Sequence, residues 1–329
     1  MNPLRAQTLQ ELLFKAISGA PIPSLLAALL LAVGWCAPAS WGASADGVLI
    51  VRSSDAVPYK EAEAALRERL GGGAIVCDAN LKELSDKAGG DLLAHAKSVV
   101  AIGTPAARWL QRELPAQVRL VYCMVTGAEE AGLLSGRPAW GVTTEVALQD
   151  QVKLISETLP QARVLGMLYR SDSEESRRTL QAMTAALPPG WRIESAPVGA
   201  GGTLAAAIDS LTSRNIDLIW TNADARLYDS NAVRALLLSA LRHKIPVWGF
   251  SPSFVRAGAL LGVGVEPRAQ GVQAADLLLN LLTRPADQKD KVESPREFQI
   301  AVNLIVAQQL DVTIPDAVTA RAAFVFRPE

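Results

Sequence analysis

Short polar clusters recur along this 329-residue chain, each following an apolar run: Ser53-Ser54-Asp55, Gly103-Thr104, Thr126-Gly127, Ser171-Asp172-Ser173, Thr221-Asn222-Ala223-Asp224 and Ser251-Pro252-Ser253. Hydroxyls beside backbone N–H groups at helix starts can hold a small anion such as a carboxylate. Asp224 suits an ammonium, and an amino acid carries both groups. Taken singly, each cluster is more often a turn or a cap, since Ser, Thr, Asn and Asp are favoured there on local grounds. Their weight is joint: they face one cleft if two sheets point their carboxyl ends at each other.

Signatures of bond-making chemistry are thin. The two histidines, His95 and His243, fall within helical patterns, where a satisfied surface histidine is the commoner reading. Gly249-Phe250-Ser251-Pro252-Ser253 begins like a nucleophile elbow but lacks the closing glycine, and reads as a strand-end loop. Gly262-Val263-Gly264 lacks the third glycine of a dinucleotide fingerprint and reads as glycines that allow close packing. No Gly-Lys-Ser loop, Cys-x-x-Cys or His-Glu-x-x-His occurs, so the sequence supports no catalytic residue, cofactor or metal. A formal net charge of -1 gives no basic surface for nucleic acid.

The elements that must position these clusters alternate regularly. Apolar runs 47–53, 74–79, 98–103 and 119–125 read as strands covered on both faces, and amphipathic stretches 58–70, 81–96 and 104–114 read as the helices between them. Thr104 is expected to cap its helix, with Pro105 at the first helical position. Ala139 to Thr144 is read as a crossover, after which the rhythm repeats: strands near 163–169, 191–198, 216–221, 246–250 and 259–265, and helices near 145–159, 174–187, 203–213, 229–243 and 268–282. This alternation predicts an α/β protein of two doubly wound parallel-sheet lobes joined by hinge crossovers, with ligands bound outside the carboxyl ends of the strands. In a first sheet ordered 2-1-3-4, Cys77 and Cys123 lie three strand spacings apart, too far for a disulfide.

The first 45 residues differ from the rest. Arg5 and Lys15 precede an apolar run, Leu25 to Val33, and small residues follow through Ala43-Ser44-Ala45, the order of a secretory signal. The run is short for a membrane span, which needs about 20 residues. The expected division is a signal at 1–45, a first lobe of 46–140 plus about 266–299, and a second lobe of 141–265 plus about 300–329.

From Trp140 to about Asp316 the sequence resembles the solute-binding proteins of ABC transporters in the group that includes tryptophan and tyrosine binders. The resemblance rests on Gly141-Val142-Thr143-Thr144-Glu145, the run Leu159 to Tyr169, Asp217 to Asp224, Lys244 to Phe250, Ala257 to Val265, Gly271 to Asp276 and Val302-Asn303-Leu304. Ala101 to Ala107 fits the pattern in the first half, whereas Gly127-Ala128 stands where relatives often carry Asp-Pro.

That resemblance implies a type I periplasmic-binding-protein fold and no catalysis. It places Ser53, Thr104, Thr126, Ser173, Asn222, Asp224 and Ser251 at the cleft, with Ser53 and Thr104 near a ligand carboxylate and Asp224 on an amine. Tyr122, Tyr169 and Trp220 are candidates to stack on a flat ligand, although core packing is the commoner fate of strand aromatics. The implied protein is periplasmic and monomeric, and it captures an amino acid or related carboxylate, aromatic ones included, for an ABC permease. A sensing module for a receptor or kinase is the alternative, since one fold serves both roles.

Overall fold

The computed structural model describes residues 47–71, 75–84, 93, 96–138, 140–199, 202–224, 226–283 and 291–328. His95, Ala139, most of the helical stretch expected after Leu84 and the expected signal at 1–45 lie outside the described residues.

The first half runs β1 (Val48–Arg52), α1 (Val57–Leu70), β2 (Ile75–Asn80), α2 (Leu81–Leu84), β3 (Ser98–Ile102), α3 (Thr104–Glu113), β4 (Arg119–Val125) and β5 (Trp140–Thr143). The second runs α4 (Leu148–Thr158), β6 (Val164–Arg170), α5 (Glu174–Ala186), β7 (Arg192–Val198), α6 (Leu204–Thr212), β8 (Leu218–Trp220), α7 (Ser230–Arg242), β9 (Val247–Gly249), α8 (Pro252–Ala257) and β10 (Leu261–Val265). The chain ends with α9 (Pro267–Thr283), β11 (Lys291–Glu293), β12 (Phe298–Asn303), α10 (Leu304–Leu310), α11 (Asp316–Arg321) and β13 (Ala322–Phe326).

These strands form two sheets, ordered β11-β5-β4-β3-β1-β2 and β13-β12-β10-β9-β8-β6-β7. Every pairing in the first sheet is parallel, and in the second only β10 with β12 is antiparallel. The two-lobed α/β architecture is therefore as the alternation of elements predicts. Its cause is visible in β1: Val48 and Ile50 pack with Ala62, Leu66 and Leu277 of α1 and α9, while Leu49 and Val51 pack with Ala106 and Leu110 of α3. A strand with helices on both faces needs apolar residues at every position. The second sheet is sandwiched the same way, by α4 and α5 on one face and α6 to α8 on the other.

Particular local expectations change. Residues 140–143 are not a crossover but a strand of the first sheet, paired with β4 and β11, so the chain passes between sheets at 144–147. It returns at Glu266 and passes again at 294–297. Ser251-Pro252-Ser253 is a helix start rather than a loop, with Ser251 accepting from the Phe254 N–H at 3.2 Å. Gly262 does serve close packing: a Cβ there would lie 2.1 Å from the Gly249 carbonyl oxygen. The first sheet places two strands between β2 and β4, the separation expected for Cys77 and Cys123. Cys123 is a buried free thiol, which burial pushes up to about 12. No helix among the described residues is long and apolar enough to cross a membrane.

Candidate functional site

A cleft of about 990 Å³ opens where the carboxyl ends of the two sheets meet, at the upper end of the range usual for small-molecule pockets. The first sheet supplies Met124, Thr126 and Gly127 from the end of β4, Glu130 from the loop beyond it, and Pro58 and Glu61 from α1. The second supplies Trp220 at the end of β8 and Thr221 to Asp224 after it, Phe250 and Ser251 after β9, Glu175 and Ser176 from the start of α5, and Val263 and Phe324.

Of the expected site residues, Thr126, Asn222, Asp224 and Ser251 line this cleft. Ser53, Thr104, Tyr169 and Ser173 do not, and each is held by a local task. Ser53 Oγ accepts from the Ala106 N–H at 3.0 Å and supports the start of α3. Thr104 is the first residue of its helix rather than the cap, and Gly103 takes the cap position at φ 95°. A side chain at Gly103 would strike Ser53 Oγ, at 2.5 Å, and the Tyr59 ring, at 2.9 Å, so only glycine fits that turn. The Thr104 hydroxyl instead accepts from the Thr126 N–H at 3.0 Å, tying the ends of β3 and β4 together. Ser173 caps α5 by accepting from the Ser176 N–H at 3.2 Å.

The aromatic candidates divide. Tyr122 is fully buried against Gly141, Tyr169 packs on the core of the second sheet, and Trp220 alone of the three lines the cleft. The Trp220 indole N–H donates to Gln151 Oε1 at 2.9 Å, which fixes the ring's orientation.

Beside the cleft lies a buried ion pair centred on Arg170, the last residue of β6. Its Nε donates to Asp224 Oδ2 at 2.9 Å and its Nη2 to Glu130 Oε1 at 2.9 Å. Asp224 also accepts from the N–H groups of Arg226 and Leu227 at 3.0 and 3.2 Å. Its carboxylate is thus filled from within the protein, and an ammonium there must share it with Arg170. Burial works against the Arg170 charge, but the bond to Asp224 and the fields of Asp224 and Glu130 outweigh it and raise its pKa.

Sequence reasoning missed the acids facing this pair. Glu175, in the first turn of α5, carries a carboxyl pushed up to about 7 by burial and by the nearby charges of Glu130, Glu129 and Asp224. Glu145 accepts from the Gly127 N–H at 2.8 Å across the first chain passage, yet enclosure by protein still raises its pKa. Each reads in the sequence as an ordinary helix-start or loop acid; only the meeting of the lobes makes it a cleft residue.

Comparison with known proteins agrees with this architecture. The family model described as ABC transporter substrate binding protein matches residues 90–326. The ligand-free, open structure of a substrate binding protein with adhesive properties from Clostridium difficile is similar at 16% identity and a TM-score of 0.67, over 86% of this chain and 100% of that one. An ABC domain in complex with L-Trp from Streptococcus pneumonia is similar at 20% identity and a TM-score of 0.56, over 85% of this chain and 100% of that one. A conserved domain protein from Vibrio cholerae is similar at 21% identity and the same TM-score of 0.56, with the same coverage. No curated protein matches the chain. With a two-lobed fold, a cleft at the strand ends and a family match over most of its length, the chain belongs to the ABC transporter substrate binding proteins, which bind a solute and do no chemistry on it.

Proposed function

We propose that the protein is exported by way of residues 1–45, works in the periplasm as a monomer, and captures a small solute, an amino acid or related carboxylate, aromatic ones included. It then presents that solute to an ABC permease. The observation that carries this reading is the cleft itself, where Trp220 and Phe250 flank polar strand ends. Such a wall suits an aromatic or aliphatic body held beside a few directional hydrogen bonds. The solute in the pneumococcal structure, L-Trp, is of that kind. Capture then requires the lobes to close about 144–147, 266 and 294–297, a hinge motion. Thermal unfolding against the twenty amino acids and a set of aromatic amines and carboxylates tests the proposal. A solute at 100 times its Kd adds about 2.7 kcal/mol of stability, an easily visible shift. Absence of any shift across the panel removes the ligand class proposed here.

A further inference from the structure

The polar groups of the cleft wall are matched with unequal success. Among the described residues, the buried side-chain atoms on the cleft lining that lack a hydrogen-bond partner are Glu175 Oε2 and Asn222 Oδ1. Both are acceptors. An acceptor buried without a donor is destabilising, and a ligand that brings donors relieves that.

Charge points the same way. Glu130, Glu145, Glu175 and Asp224 line the cleft, and the guanidinium on its lining, Arg268, donates to Glu68 at 2.6 Å. Arg170 lies beside the cleft but is already bonded to Asp224 and Glu130. Arg178, on the same helix as Glu175, pairs with Glu129 and Glu174. A ligand carboxylate therefore meets acids and committed cations, whereas an ammonium meets the unpartnered Asn222 Oδ1 and a Glu175 carboxyl that can ionise beside it. Among the described residues no group of His, Cys, Asp and Glu is placed to hold a metal ion. The flanking Trp220, Phe250 and Val263 offer contact to a hydrocarbon body instead.

We propose that the cleft takes an organic cation, an amine on an apolar or aromatic body with no carboxylate requirement, and that Glu175 and Asn222 receive its N–H donors. This rests on the reading of the cleft as the capture site and moves its ligand from amino acids to cationic amines. The ligand's charge takes the place of the proton that burial and like-charged neighbours keep on Glu175, so binding near pH 7 is accompanied by proton release.

The test is calorimetry on the purified full chain with three compounds that share one ring system: tryptamine as cation, tryptophan as zwitterion and indole-3-propionate as anion. Tryptamine is expected to bind about tenfold or more tighter than indole-3-propionate, as a charge-assisted pair against an orphaned acceptor predicts. Repeating the titration at pH 7 in buffers of different ionisation enthalpy reads the released proton. Glu175→Gln, isosteric and uncharged, is expected to keep the fold, erase the cation's advantage and abolish proton release. Equal or tighter binding of the anion or the zwitterion overturns the inference while leaving capture intact, and so does an advantage that survives in Glu175→Gln. Failure of all three compounds together with the full amino-acid and amine panel overturns the inference along with the proposed ligand class.

Discussion

At the residue scale, Glu175 and Arg170 mark opposite outcomes of burying charge near a binding cleft. The Glu175 carboxyl stands at about 7, against 4.5 for an ordinary glutamate, because burial and the acids Glu130, Glu129 and Asp224 oppose its ionisation. Below pH 4.5 both folded and unfolded chains hold the proton and the residue has no effect on stability. Between 4.5 and about 7 the unfolded chain releases it while the fold keeps it, so this group's contribution turns against the fold as pH rises and levels off above 7. Glu175→Gln is accordingly expected to raise Tm at pH 8 and to match the parent at about pH 4.5. A Tm lowered at pH 8 would instead assign the ionised carboxylate a favourable partner. Arg170 is the reverse case: with Asp224 it forms a pair only 9% and 7% exposed. Arg170→Met leaves Asp224 buried with only its two backbone donors, and loss of one partner from such a pair costs about 3 kcal/mol or more. Urea unfolding at pH 7 measures it, and a loss under about 1 kcal/mol would mean the pair behaves as an exposed one.

At the element scale, what the sequence made legible is what neighbouring residues decide. The strands β1 and β3 are continuous apolar runs because helices cover both faces, and the cluster Thr221 to Asp224 follows β8 as its composition suggests. What stayed hidden depends on which strands lie side by side. Thr104 has the local signature of a cap, but the β3–β4 pairing brings the Thr126 N–H to its hydroxyl, and Gly103 takes the cap instead. Asp224 looked free for an ammonium because Arg170 lies 54 positions away in the chain and meets it only where β6 pairs with β8. The edge strand β11, Lys-Val-Glu, is exposed and carries no apolar pattern to find. Helix packing gives a sharper prediction. A Cβ on Gly271 of α9 would lie 2.0 Å from the Ala62 carbonyl oxygen and 2.8 Å from its carbon, both backbone atoms of α1. Alanine in place of glycine gains about 1 kcal/mol of intrinsic helix preference. Backbone atoms cannot swing aside like a side chain, so α9 must move off α1, and overpacking of this kind costs about 1–3 kcal/mol. Gly271→Ala is therefore expected to lower unfolding stability despite its better helix propensity; a stabilised variant would show that the two helices separate freely.

At the scale of the whole molecule, two ion pairs join the lobes on the side of the cleft: Glu130 to Arg170, and Glu129 to Arg178. They are not equivalent. Arg178 and Glu129 have side chains 51% and 45% exposed, and an exposed pair contributes about 0–1 kcal/mol and is screened by salt. Arg170 is mostly buried and anchored within its own lobe by Asp224, so its guanidinium offers Glu130 a fixed target. A preplaced partner costs less side-chain entropy to engage, which makes Glu130 the stronger tie between lobes that are otherwise joined through the short passages at 144–147, 266 and 294–297. Glu130→Gln keeps the Arg170–Asp224 bond, so each lobe should remain folded while the ligand-free molecule opens more. Small-angle scattering is expected to show a larger radius of gyration for Glu130→Gln than for the parent, and no change for Glu129→Gln. Removing Glu130 also takes away one of the acids that keep Glu175 protonated, so the same substitution should lower the pH at which Glu175 titrates. An unchanged radius with a lowered Glu175 pKa would separate the two roles and leave Glu130 as part of the cleft's charge pattern alone, with lobe closure set by the chain passages and the ligand.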